Sequence, residues 1–96
     1  MAEGYWVSVY PAVAPERLTA YNELARAAVR AGGGRVLSRG GRVVAHEAGI
    51  AARVVLIEFD SFEQAVAAYE SEAYRKALAA FPDGIERDFR IVEGID

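Results

Sequence analysis

The stretch Arg53-Val54-Val55-Leu56-Ile57-Glu58-Phe59 constrains the fold of this chain more than any other. Its β-branched and aromatic residues predict a strand. Successive side chains of a strand point to opposite faces, so Val55, Ile57 and Phe59 share one face while Val54, Leu56 and Glu58 share the other. Both faces are largely apolar and both need covering. Gly4 to Tyr10 repeats the pattern, with Val7 and Val9 on one face and Trp6, Ser8 and Tyr10 on the other. A sheet with one wetted face would alternate apolar and polar residues instead.

The other elements follow in order. Pro11 stops the first strand, and Pro15-Glu16 opens a helix with Pro at its first position and an acid at its positive end. Leu18, Tyr21, Ala25, Ala28 and Val29 form its buried stripe. Gly32-Gly33-Gly34 ends it, with Gly32 expected as the left-handed cap. A second strand is expected from Arg35 to Arg39, with a bulge at Gly40-Gly41 and a continuation from Arg42 to Glu47. Ala48 to Ala52 connects to the strand at Arg53. Ser61 and Gln64 have capping-box spacing for a second helix, which restarts or bends near Ser71 and runs on to Phe81. Pro82-Asp83-Gly84 turns the chain into a last strand from about Glu86 to Glu93.

The order β-α-β-β-α-β predicts an α+β fold of the ferredoxin-like kind: one domain over residues 1–96, with a four-stranded antiparallel sheet and two helices on one face. The chain has no third element for the other face. A second copy packed sheet to sheet is the simplest cover, so a homodimer through the open sheet face is expected.

Composition narrows the chemistry. The 96 residues include no Cys and one His, which removes disulfides and thiolate nucleophiles and leaves little for a zinc site; no metal and no cofactor are expected. A net charge of −3 offers nucleic acid no basic field. The acidic start and the lack of a long apolar run predict a cytoplasmic protein with no membrane partner.

Specific residues also carry a resemblance. They are Gly4-Tyr5-Trp6; Pro15-Glu16 with Tyr21; Gly33-Gly34-Arg35-Val36-Leu37-Ser38-Arg39-Gly40-Gly41; Ile57-Glu58-Phe59-Asp60-Ser61-Phe62; Ala68-Tyr69-Glu70-Ser71 with Tyr74; and Val92-Glu93-Gly94. In order and spacing the chain resembles the domain of unknown function 1330 family (DUF1330) of the dimeric α+β barrel superfamily. The resemblance implies a two-fold dimer whose sheets form a barrel with clefts between sheet and helices, and it implies no reaction. Three positions depart from the family pattern: Ala14 stands where Asp is frequent, Ala68 where an aromatic is frequent, and Phe81 near a frequent Arg.

Glu58 is the first candidate for chemistry. A carboxylate among Val54 and Leu56 inside a barrel would have a raised pKa and act as acid or base; otherwise it pairs with an arginine or reaches water at the strand end. Arg39 is a candidate anchor for an anionic ligand, with Gly40-Gly41 admitting the ligand close to the backbone; otherwise it binds a carboxylate beside a bulge. Trp6, Ser8 and Tyr69 are candidate cleft lining, with core packing as the plainer role of the aromatics. His46 is expected at the surface or at the dimer contact. Two functions fit: a cofactor-independent dimer that binds or transforms a small organic molecule through Glu58, Arg39 and the aromatics, or a structural or regulatory dimerisation module with no such site.

Overall fold

The structure is a computed structural model that describes residues 2–96. Strand β1 (Gly4–Tyr10) is followed by a 3-10 turn (Pro15–Arg17) and helix α1 (Thr19–Ala31). Strands β2 (Arg35–Arg39) and β3 (Arg53–Phe59) come next, then α2 (Phe62–Glu70), α3 (Glu72–Ala79) and β4 (Asp88–Glu93). The strands form one antiparallel sheet in the order β2-β3-β1-β4. The fold is α+β, with the three helices packed on one sheet face.

Trp6, Ser8 and Tyr10 of β1 face the helices and are buried. Trp6 donates from Nε1 to the Ala65 carbonyl at 2.8 Å, which ties α2 to the sheet. Its indole packs against Phe59, Tyr74 and Phe89 at ring separations of 5.0, 4.8 and 5.3 Å. Of the expected stripe, Tyr21, Ala28 and Val29 of α1 are buried, as is Leu18 just ahead of it, while Ala25 is partly buried.

Several boundaries differ from expectation. The helix at Pro15 begins as a 3-10 turn to which Ala14 supplies no side-chain cap, and the α-helix starts only at Thr19. At its far end the left-handed residue is Gly33 (φ +82°), one place beyond Gly32. The Gly34 and Gly33 amides donate to the carbonyls of Val29 and Arg30, a Schellman motif that fills the orphan acceptors of the last turns. Ser71 splits the second helical region in two: its Oγ donates to the Ala68 carbonyl and accepts from the Tyr74 amide, closing α2 and capping α3. Ala68 is buried against Gly32, the residue that follows α1, so an aromatic side chain has no room there.

Strand β2 stops at Arg39; residues 40–52 hold no strand, and the expected continuation to Glu47 is absent. The bulge lies at Leu37, where the register slips between Val36 and Ser38, and not at Gly40-Gly41. Two constraints favour glycine at position 40: its φ of +69°, and the Arg53 Nη1 that a Cβ there would meet at 2.5 Å.

Candidate functional site

The Leu37 bulge decides which face Arg39 serves. Arg35 pairs with Glu58 on the open face of the sheet, and unbroken alternation would send Arg39 to the same face. The extra residue reverses the parity, so Arg39 pairs with Val55 and joins Val36 on the side of the helices. There a cavity of about 300 Å³ lies between sheet and α1, at the lower end of the size of small-molecule sites.

Five arginines line this cavity: Arg26, Arg30, Arg39, Arg53 and Arg87. No Asp or Glu lines it, and no carboxylate among the described residues pairs with any of the five. Half of the chain's ten arginines thus gather at one hollow of a molecule whose net charge is −3. Arg26 and Arg30 are one turn apart on α1, an arrangement that costs an isolated helix stability unless something negative lies between them. Both are exposed, as is Arg39, and the three form the rim.

The inner guanidiniums are fixed by aromatic groups. Arg53 donates from Nε to the Tyr10 hydroxyl at 2.9 Å, and Gly40 leaves room for its head. Arg87 donates from Nη1 to the Tyr21 hydroxyl at 2.9 Å and lies 4.2 Å from the Phe81 ring centre and 5.0 Å from that of Phe89. Phe81 is thus the platform for a guanidinium carried by a neighbouring segment. Burial works against the Arg87 charge, but the oxygens of Tyr21 and Tyr74 outweigh it and its pKa is raised. The Tyr21 and Tyr74 hydroxyl oxygens are 2.6 Å apart, and burial raises the Tyr74 pKa strongly. Trp6, Val29, Val55, Ile57 and Phe89 supply apolar wall, and Ser8 lies among them.

Of the residues singled out from the sequence, the structure brings Arg39, Trp6 and Ser8 to this cavity. Tyr69 is not part of its lining; the ring packs against Trp6, Tyr74 and Phe89 as aromatic core. Glu58 is on the opposite sheet face, so the expected cleft shared by Glu58 and Arg39 is not formed within one chain. Its carboxylate accepts from Arg35 Nε at 3.1 Å and from the Tyr5 hydroxyl at 3.2 Å. The hydrogen bond to Glu58 raises the Arg35 pKa, and Arg35 also pairs with Asp60 at 3.0 Å. His46 is exposed in the 40–52 segment. Sequence reading missed Arg26, Arg30, Arg53 and Arg87. Arg26 and Arg30 carried a readable signal, two like charges four apart bordering the apolar stripe of α1; the other two depend on tertiary packing. Among the described residues no three His, Cys, Asp or Glu side chains cluster in a way that would hold a metal ion.

The family model for a domain of unknown function, DUF1330, matches residues 3–95. The chain belongs to this family. Among solved structures it is similar to the RPA0582 protein of unknown function from Rhodopseudomonas palustris, with a TM-score of 0.69 at 14% identity over 99% of this chain and 84% of that one. A crystal structure of methylated RPA0582 gives a TM-score of 0.68 at 15% identity, over 99% and 82% of the two chains. At such identities the likeness concerns the fold alone. No curated protein matches the chain.

Proposed function

We propose that this DUF1330 protein binds a small organic anion, a carboxylate with an apolar body, in the cavity between its sheet and α1. One observation carries the reading: five arginines border a hollow of about 300 Å³ that no acidic residue lines. Guanidiniums gathered without counter-charge repel one another, and an anion that arrives there relieves the repulsion while forming charge-assisted, bidentate hydrogen bonds. The apolar wall suits the remainder of such a ligand.

The same reading makes the working unit a homodimer joined through the open sheet face. Among the described residues no helix or strand covers Val7, Val9, Val54 and Leu56 on that face, and Leu37 and Val92 extend it at its margins. The 40–52 segment beside it exposes Val44 and Ile50, at 79% and 74%. Glu58 serves as an acid or base only for a site formed between two such faces. The reading also places the protein in the cytoplasm, where reducing conditions ask nothing of a cysteine-free chain. No described helix is long and apolar enough to cross a membrane.

Thermal unfolding in the presence of benzoate, benzamide or benzylamine tests the ligand, since a compound that binds only the folded state raises the midpoint. Benzoate is expected to raise it and benzylamine to leave it unchanged. A dimerisation module without a ligand site gives no shift with any of the three. Light scattering tests the dimer, which requires twice the 10.4 kDa chain mass.

A further inference from the structure

Two features of the cavity floor say more about the ligand than its charge does. The first is Ser8. Its side chain is buried at 4% exposure, borders the cavity, and its Oγ has no hydrogen-bond partner among the described residues. An unmatched buried hydroxyl is a standing cost to the fold. Its neighbours on the same strand face are Trp6 and Tyr10, so it lies in the middle of the wall opposite the helices.

The second feature is a count of protons. Arg87 donates to the Tyr21 oxygen, and a guanidinium accepts nothing in return. Tyr21 and Tyr74 own two hydroxyl protons between them, and the 2.6 Å bond that joins them uses one. Whichever of the two donates, the other hydroxyl keeps a proton with no acceptor among the described residues. Both tyrosines line the cavity. The Tyr74 ring packs 4.8 Å from that of Trp6, while Tyr21 packs on Phe81 and Phe81 on Tyr10. Tyr21, Tyr74 and Ser8 thus line one and the same cavity.

We propose that the cavity is built for an organic acid bearing a second, uncharged oxygen acceptor away from its carboxylate, a carbonyl in the simplest case. Ser8 and the spare proton of the Tyr21–Tyr74 pair donate to that oxygen, and the rim guanidiniums hold the carboxylate. This rests on the anion-binding reading above and names the ligand class. An uncharged acceptor fits because Ser8 and the tyrosine pair offer neutral hydroxyl donors, while Arg87 is anchored by its bond to Tyr21 and its stacking on Phe81 and Phe89.

Calorimetric titration of the intact protein with 4-acetylbenzoate and with 4-isopropylbenzoate, which keeps the outline and lacks the oxygen, tests the proposal. The ketone is expected to bind about tenfold more tightly, and Ser8→Ala and the double variant Tyr21→Phe/Tyr74→Phe, which removes both hydroxyl protons, are each expected to shrink that ratio. Circular dichroism of both variants shows that the fold is retained, and Ser8→Ala, which removes an unbonded atom, suffices if the double variant unfolds. Equal affinity for the two acids, or tighter binding of terephthalate than of the ketone, overturns the proposal and leaves the anion site standing. Failure of both acids to bind overturns the anion reading and this one together.

Discussion

The hydroxyl oxygens of Tyr21 and Tyr74 meet at 2.6 Å, across the junction of α1 and α3, with the Arg87 guanidinium bonded to the first. The bond joins two helices to the segment that leads into β4, and it is buried.

Tyr21→Phe removes the group that both Tyr74 and Arg87 use. Leaving buried polar partners unmatched costs about 1–3 kcal/mol, so the urea midpoint is expected to fall accordingly with an unchanged slope. A variant as stable as the parent would show that the pair contributes nothing to the fold.

Burial raises the Tyr74 pKa above its ordinary value of 10.0. The folded protein then holds this proton more tightly than the unfolded chain does. Stability from this group is complete below pH 10 and declines as pH rises through 10, by up to about 1.4 kcal/mol per pH unit. Tyr74→Phe is expected to flatten that decline when unfolding is followed from pH 8 to 11.

Gly40 combines a positive φ with the Arg53 guanidinium where its side chain would be. Gly40→Ala is expected to cost about 1 kcal/mol for the left-handed backbone and to displace Arg53 from the cavity. Thermal unfolding reads the first effect and weakened benzoate binding the second.

These outcomes bear on what the sequence could disclose. Periodicity was enough for β1, β3 and the buried face of α1, since Trp6, Phe59 and Val29 each fall on a parity or a stripe that only one packing satisfies. Ser61 and Ser71 marked real helix starts because their capping bonds are local. The bulge was not legible in position: glycines at 40 and 41 attract that reading, yet the slip falls at Leu37, where register is set by pairing with β3. Glu58 stood out as a charge in an apolar run, but its partners Arg35 and Tyr5 come from other strands. Arg53 and Arg87 join the cavity only once β3 and the approach to β4 are in place.

Ser8→Ala removes a buried hydroxyl that has no partner among the described residues. The ligand-free variant is expected to be at least as stable as the parent, with a gain of up to about 1 kcal/mol, or roughly 4–8 °C in melting temperature for a domain of this size. A loss of similar magnitude would show that the hydroxyl is satisfied within the fold.

The most direct test of the anion site is a calorimetric titration of benzoate at low ionic strength into the parent, the Arg39→Gln/Arg53→Gln double variant and Glu58→Gln. Two guanidiniums removed from the cavity are expected to weaken binding at least about tenfold, at 1.4 kcal/mol per factor of ten. Glu58→Gln, on the other face of the sheet, is expected to bind within about twofold of the parent, well under 1 kcal/mol. A parent that takes up no benzoate, or a double variant that binds it as tightly as the parent does, would contradict the account.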